Sequence, residues 1–283
     1  MPDFPIFDTH VHLYDLARLR YGWLAGAPQI DRSHLVADFD AACAGVAVAG
    51  FVFVEVAADA GQHLAEARFA QQIADGEPRL AALVAHAPVE KGAAVEDDLQ
   101  ALLAHRHLRG IRRLIQGEIN PAVCLEPDFI AGVQRLAAHG LTFDICIKHW
   151  AMTYAIALVE KCPDVTFVLD HIGKPDIRHG LSEPWWSQMR QLARLPNVVV
   201  KISGAIGETG PEGWSAAQVK PYVAHALECF GFKRAMFGSD WPVSALSHGY
   251  GDWVALVDEV IAGAGAAEKR ALYRDTARRV YRL

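Results

Sequence analysis

The sequence lacks the features that mark membrane, secreted and nucleic-acid-binding proteins. It has no uncharged apolar run of about 18 residues, so we expect no membrane partner. Charged and polar side chains (Asp3, Asp8, His10 and His12) interrupt the beginning of the chain, so we expect no secretory signal. The basic residues are dispersed and the formal net charge is −6, which argues against a nucleic-acid partner.

Cysteines are few and show no paired pattern. They number five, are scattered along the chain and form no CxxC motif. Disulfide frameworks need regularly spaced cysteines, so we expect reduced thiols and a cytoplasmic location. No repeat, linker tract or shift in composition divides the 283 residues, 52% of which are hydrophobic. The sequence therefore predicts one domain over residues 1–283 with one large core.

What the sequence does contain is a regular alternation of short apolar runs and longer amphipathic stretches. Eight runs are predicted to be strands, at 4–10, 49–57, 80–88, 108–115, 141–147, 165–173, 197–204 and 234–242. Several are almost continuously apolar, which is typical of parallel strands buried on both faces. Helical patterns lie between them and a last one closes the chain. This order predicts an α/β fold, a TIM-type (β/α)8 barrel.

Polar side chains at the carboxyl ends of the predicted strands favour the barrel over an open, doubly wound sheet. They occur on most strands: His10, His12, Glu55, His86, Arg112, Asp144, His171, Lys201, Ser203 and Asp240. An open sheet gathers its functional residues at one switch point, whereas a barrel spreads them around one rim. We therefore predict a site at the carboxyl ends of the barrel strands.

Two histidines lie at the end of the first predicted strand, in the sequence FDTHVHLYD. Residues two apart on a strand share a face, roughly 6–7 Å from each other, so His10 and His12 can offer two nitrogens to one ion. The alternative is a strand end with solvated imidazoles. With His171 in VLDHIGKP and Asp240 in MFGSDWP, they form a set suited to one Zn²⁺ or similar ion. The same set also works as an acid–base cluster without metal.

In their order along the chain, these motifs resemble the amidohydrolase superfamily. DTHVH, DHIGKP and FGSDWP carry the resemblance, and RYGWL, GIRRLI and KISG extend it over nearly the whole length. The narrower likeness is to the lactonase branch, whose members open fuconolactone, rhamnonolactone and 2-pyrone-4,6-dicarboxylate. The resemblance implies a distorted barrel and hydrolysis of a cyclic ester.

The resemblance also bears on the metal. Binuclear members carry a bridging lysine on strand four and a further histidine on strand five, where this chain has GIRRLI and FDICI. We therefore expect at most one divalent metal, zinc before others, and activity without metal stays open. The expected ligands are His10 and His12 with His171 or Asp240. Glu55 is a further candidate, and its alternative is an ion pair with a nearby Arg or Lys.

The predicted reaction assigns roles to the remaining polar residues. Asp240 is predicted to act as general base on a water held by the histidine cluster, which includes His171, or by a metal, while Arg112, a metal or an imidazolium stabilises the oxyanion. The protonated Asp240 or a histidine then returns the proton to the ring oxygen. Substrate contacts are predicted for Trp23, Lys201, Ser203, His149 and Trp241. An ion-pair anchor inside the barrel is the alternative for Lys201. We expect eight other histidines on the surface: 34, 63, 105, 107, 139, 179, 225 and 248.

The predicted function is hydrolysis of a small sugar-acid lactone, such as a fucono- or rhamnonolactone. A planar dicarboxylate should need two arginines that each bind a carboxylate with two hydrogen bonds. The carboxyl ends of the strands offer one good candidate, Arg112. Three alternatives stay open: a pyrone-dicarboxylate lactonase, a metal-dependent decarboxylase of the same superfamily, and a silent metal- or sugar-binding protein. Assembly into a homo-oligomer also stays open.

Overall fold

The computed structural model describes residues 2–283 and arranges eight parallel strands in sequence order around a barrel. The strands are β1 Ile6–Val11, β2 Val48–Val54, β3 Leu80–His86, β4 Leu108–Arg112, β5 Thr142–Ile145, β6 Phe167–Leu169, β7 Val198–Ile202 and β8 Ala235–Phe237. A parallel bridge between Val11 and Trp241 brings the last strand back to the first. The predicted (β/α)8 barrel is confirmed.

Helices alternate with the strands and cover the outside of the barrel. They are α1 Val36–Ala42, α2 His63–Gly76, α3 Glu96–Leu103, α4 Pro127–Ala138, α5 Met152–Lys161, α6 Trp185–Ala193, α7 Ala216–Phe230, α8 Tyr250–Val260, α9 Ala266–Arg270 and α10 Thr276–Tyr281. A π-helical turn separates α9 from α10, so the last predicted helix is interrupted. Among residues 2–283, no helix is long and apolar enough to cross a membrane.

Strand β2 explains why the predicted strands are almost continuously apolar. Phe51 and Phe53 point outward into the layer between strands and helices, whereas Val52 and Val54 point into the barrel. All four side chains are fully buried. Because a barrel strand has no solvent-facing side, its sequence loses the polar–apolar alternation of a half-exposed strand. Each such side chain contributes about 1.5–3 kcal/mol through burial.

The chain's last helix fills the amino end of the barrel. Ala277, Val280 and Tyr281 of α10 pack with inward-facing strand residues such as Phe7. The Lys201 ammonium lies 5.9 Å from the centre of the Tyr281 ring. Apolar packing therefore closes this end, and the buried polar residues above it gather toward the carboxyl ends of the strands.

Three histidines expected on the surface are buried, so that expectation was wrong for His34, His225 and His248. His34 packs against Trp241, and the His225 ring stacks on Trp186 with centroids 3.9 Å apart. His248 lies against Trp253. For His34 and His225 the covering aromatic residue is distant in sequence, so local sequence patterns contain no such information.

Candidate active site

Three histidines and one aspartate meet at the carboxyl end of the barrel. Asp240 Oδ1 lies 3.4 Å from His12 Nε2, 3.6 Å from His10 Nε2 and 3.8 Å from His171 Nε2. All four side chains are buried. The structure therefore brings the four predicted central residues together at one point.

The backbone that carries this cluster is strained. Asp240 and His171 have φ values of 64° and 53°, a left-handed conformation that costs an L-residue about 1–2 kcal/mol. A hydrogen bond from the Asp240 amide to the His10 carbonyl, 2.9 Å long, ties β8 to β1 at this level. Gly238 is required there, since a Cβ atom would lie 2.9 Å from His10 Cβ. The surrounding fold thus imposes the strained conformation, as is common at functional sites.

Hydrogen bonds outside the cluster orient two of the rings. His12 Nδ1 lies 2.9 Å from the Val54 carbonyl oxygen, which only accepts, so the Nδ1–H of His12 donates this hydrogen bond. His12 Nε2 is the ring nitrogen that faces Asp240. His171 Nδ1 lies 2.9 Å from Ser203 Oγ. Such second contacts fix the ring orientation of histidines that bind metals or move protons.

Beneath the cluster lies a set of buried ion pairs that we call the floor network, formed by Glu55, Arg112, Asp144, Asp170 and Lys201. Arg112 pairs with Glu55 at 2.6 Å and with Asp170 at 3.3 Å. Lys201 pairs with Asp144 at 2.6 Å and with Asp170 at 3.1 Å. None of the five is more than 4% exposed. Glu55 thus forms the ion pair that was the alternative to metal ligation.

The floor network also contacts His10. Its Nδ1 lies 3.4 Å from Asp170 Oδ1 and 3.3 Å from Lys201 Nζ. Its Nε2 lies 3.3 Å from Arg112 Nη1. Burial lowers the pKa of His10 well below its usual value, against the negative charge of Asp170, so the ring is neutral near pH 7.

The electrostatics set the charge states of the cluster. Burial lowers the pKa of His171 to about 3, so this ring is also neutral near pH 7. Burial alone would raise the pKa of Asp240, but His171, His12 and His10 outweigh it and lower that pKa. The site therefore presents an ionised Asp240 carboxylate beside the neutral rings of His10 and His171, an arrangement that can accept a proton from a bound water.

The donor set fits one divalent ion. His10, His12 and Asp240 have ligand atoms within 4.8 Å of one another, and so have His10, Asp170 and His171. Both groups contain His10, so they are alternative positions for one ion. Imidazole nitrogens with one carboxylate oxygen are a zinc-type donor set, and the Val54 carbonyl supplies the outer hydrogen bond typical of such a ligand.

A cavity of about 240 Å³ opens above the cluster. His12, His171 and Asp240 lie on one side of it, and Trp23, Gln116 and Lys174 also line it. Trp23 is held by a 2.8 Å hydrogen bond from its indole nitrogen to the Val56 carbonyl. The pocket is thus small, partly apolar, and suited to a small molecule.

The structure places the other predicted substrate residues outside this lining. Lys201 and Ser203 are fully buried below it, and Trp241 packs against Phe39. His149 lies beside the Lys174 carbonyl, with its Nδ1 3.2 Å from that oxygen. Ion pairs, a hydrogen bond to His171 and core packing occupy these side chains, so substrate contact by them stays a prediction. Trp23 and Arg112 do line the pocket.

Sequence reasoning missed several pocket residues, of which Lys174 and Gln116 matter most. Lys174 has a recognisable signal, because it is the cation of the DHIGKP motif and precedes a proline. Gln116 carries no such signal. A neighbouring cavity of about 340 Å³ is lined by His63, His86 and Glu66, so His86 faces that space instead of the cluster.

A buried cluster of three histidines and an aspartate at the carboxyl rim of a (β/α)8 barrel lies where barrel enzymes have their active sites. The family model described as Amidohydrolase matches residues 7–283 of the chain. The protein therefore belongs to the amidohydrolase family, as the motifs indicated.

Comparison with individual proteins agrees with this family. An L-fucono-1,5-lactonase of Burkholderia multivorans is 30% identical, with 98% of this chain and 95% of the relative covered. An L-rhamnono-gamma-lactonase of Scheffersomyces stipitis is 26% identical over 71% of this chain and 69% of the relative. A crystal structure of a Burkholderia multivorans amidohydrolase with bound zinc superposes with a TM-score of 0.88 at 29% identity, covering 99% of this chain and 100% of that chain.

Proposed function

We propose that the protein hydrolyses the lactone of a sugar acid, a neutral aldonolactone of the fucono- or rhamnono- type. The observation that carries the proposal is the Asp240 carboxylate, held 3.4–3.8 Å from three histidine nitrogens at the edge of a small cavity. The two lactonase relatives support this class of substrate.

Asp240 acts as general base in this proposal. Its carboxylate accepts a proton from a water while the water oxygen bonds to the lactone carbonyl carbon and the carbonyl π electrons move to oxygen. The tetrahedral intermediate then collapses, the ring C–O bond breaks, and the protonated Asp240 or His171 returns the proton to the ring oxygen. The product hydroxy acid ionises and releases one proton per turnover.

His10, His12 and Asp240 would hold one zinc ion, with His171 beside them. When bound, a zinc ion supplies Lewis acidity to oxygen ligands at this point. The protein's own contribution is to keep His10 and His171 neutral through burial and to orient His12 through the Val54 carbonyl.

The charges around the cavity favour a neutral lactone over a dicarboxylate. Arg112 is committed to Glu55 and Asp170, so it offers little to a substrate carboxylate. Trp23 supplies a flat apolar face of the kind that packs against sugar C–H groups. A pyrone dicarboxylate would bring two negative charges to a lining that contains the ionised Asp240 and one cation without an ion pair in the described chain, Lys174.

A proton-release screen tests the proposal. A panel of aldonolactones and 2-pyrone-4,6-dicarboxylate is supplied to the enzyme as purified, after chelation, and after adding back zinc. We expect the highest kcat/KM for an aldonolactone. Equal or faster turnover of the pyrone would overturn the substrate class, and CO2 release from a hydroxybenzoate without lactone hydrolysis would identify a decarboxylase.

A further inference from the structure

A left-handed turn directs a lysine into the candidate site. Residues His171, Ile172, Gly173 and Lys174 have φ values of 53°, 48°, 71° and 47°. Only one of the four is glycine, so three residues each bear the cost of a left-handed backbone, about 1–2 kcal/mol. This turn places His171 and Lys174 together on the lining of the cavity. A strained segment that positions two lining residues indicates a function for both.

Lys174 differs from the other cations near the cluster because its ammonium is unpaired. Among residues 2–283 no hydrogen bond or ion pair within 4.0 Å involves Lys174 Nζ. By contrast, Arg112 and Lys201 have ion-pair partners in the floor network, and the rim residue Lys148 pairs with Glu208. Lys174 is therefore the cation of this lining that is free to meet a ligand.

A second polar group on the same lining has no partner. The side-chain oxygen of Gln116 is buried and accepts no hydrogen bond within the described chain. An unsatisfied buried polar atom costs about 1–3 kcal/mol. A bound molecule with a hydroxyl group would satisfy the Gln116 oxygen and remove this cost. Gln116 and Lys174 therefore form a polar part of the pocket lining.

The guanidinium of Arg112, by contrast, has little capacity left for an oxyanion. It has five N–H donors. Its contacts reach Glu55 Oε1, the Glu55 carbonyl oxygen, Asp170 Oδ2 and His10 Nε2, which leaves about one donor free. A residue that carries its own counter-ions also adds little net positive charge to the pocket. Charge that develops on the substrate during reaction therefore needs another partner.

We propose that Lys174 is a catalytic residue that contacts the carbonyl oxygen of the lactone and then holds the carboxylate formed by ring opening. This inference rests on the proposed lactonase function. As the water oxygen bonds to the carbonyl carbon, the π electrons move to the oxygen beside Lys174, and Asp240 takes the proton. When the ring C–O bond breaks, that oxygen becomes part of the product carboxylate, still beside the ammonium. Gln116 accepts a hydrogen bond from a ring hydroxyl.

In this position the Lys174 ammonium supplies one positive charge for the one negative charge that develops on the lactone oxygen. A neutral lactone brings no anion of its own, and the single negative charge created in the reaction appears where the unpaired ammonium lies. The benefit is larger in the tetrahedral intermediate and the product than in the substrate, which is the condition for a gain in kcat. Because Lys174 is proposed to hold the product carboxylate, we also expect inhibition by the product hydroxy acid.

The test compares Lys174→Met with Lys174→Arg and with the matched control Lys220→Met, a surface lysine paired with Glu259. Since Lys174 has no ion pair within 4.0 Å in the described chain, its replacement breaks no salt bridge and the melting temperature should not fall. We expect Lys174→Met to lose about 10²–10³-fold in kcat/KM for the neutral lactone, the usual effect of removing one oxyanion donor. Lys174→Arg should recover part of this, and Lys220→Met should match the wild type.

A binding measurement separates this inference from the proposed function. The hydroxy acid product of the panel lactone is titrated against each variant, with binding followed by tryptophan fluorescence or calorimetry and without turnover. We expect the dissociation constant to rise at least tenfold in Lys174→Met. Equal binding to wild type and Lys174→Met would overturn the role of Lys174, even in an active lactonase.

Two further outcomes are decisive. If Lys174→Met keeps neutral-lactone activity within threefold of wild type but loses a carboxylate-bearing lactone, Lys174 recognises a substituent and the proposal is wrong. If no lactone is hydrolysed but the hydroxy acid still binds in a Lys174-dependent way, the proposed lactonase function is wrong, whereas binding of a carboxylate by Lys174 is supported.

Discussion

The floor network and the pocket lining both contain buried charges, yet they differ in how those charges are paired. In the floor network Arg112 and Lys201 each contact two carboxylates within 3.3 Å. On the lining, Asp240 faces neutral rings, and Lys174 has no ion pair within the described residues. Charges that neutralise each other hold the barrel together and are unavailable to a ligand. Charges without partners destabilise the free protein and are available for chemistry.

The largest effect should follow from neutralising the unpaired carboxylate. Asp240→Asn keeps the shape of the side chain but cannot accept a proton, so we expect activity to fall about 10²–10⁴-fold with a similar melting temperature. Steady-state kinetics on an active lactone measure this, and Asp31→Asn on the exposed loop after β1 is the control. Activity within threefold of wild type would remove Asp240 from the base role.

Breaking the paired region should affect stability first. Lys201→Met leaves Asp144 buried without its cation and takes from Asp170 one of its two cations, which should cost about 3–5 kcal/mol in the free energy of unfolding. Denaturant titration measures this, and adding Asp144→Asn should restore part of the loss. If Lys201→Met is as stable as wild type, the ion pairs of the floor network do not stabilise the fold. The distinction between stabilising paired charges and reactive unpaired charges is then wrong.

A smaller effect is expected where the two regions meet. Ser203→Ala removes the hydroxyl 2.9 Å from His171 Nδ1 and should lower activity about 10–100-fold, since outer contacts orient catalytic or ligating rings. Ser203→Thr keeps the hydroxyl and serves as the rescue variant. Loss of folding in Ser203→Ala, measured by circular dichroism, would instead assign Ser203 to packing.

The smallest effect concerns a buried group outside both regions. Burial lowers the pKa of His34 to about 4 from 6.5, so the unfolded chain binds a proton there between these pH values and the folded chain does not. Stability therefore rises with pH from about 4 to 6.5, and His34 accounts for at most about 3 kcal/mol of that rise.

Replacing His34 isolates its share. His34→Phe should show a shallower rise in the free energy of unfolding over this pH range than wild type, measured by urea titration at several pH values. His179→Phe, at an exposed position, is the control. An unchanged slope would mean that His34 is protonated in the folded protein.

The barrel could be predicted from the sequence because its signals are local. Each strand is buried on both faces, so its run of apolar residues stands out, as in Phe51–Val54 of β2. His10, His12 and Asp240 were predictable for a related reason, since they directly follow such runs. The contrast between an apolar run and a polar residue at its end is visible without a structure.

Asp170 was harder to place. On a continuing strand it would alternate to the face opposite His171, but β6 ends at Leu169 and a left-handed turn follows. Both side chains therefore point inward, and Asp170 joins the floor network. Burial of His34 likewise depends on Trp241, which is far away along the chain.

The order of elements, the barrel, and the histidines and aspartate at strand ends can be predicted from the sequence, because apolar periodicity and residue type are local properties. Which charges are paired depends on the tertiary structure. Arg112 and Lys201 meet carboxylates from other strands, whereas Lys174 meets none within the described chain. The ion pairs of the floor network join residues up to 58 positions apart, as for Arg112 and Asp170, and the distances between them exist only after the barrel has closed.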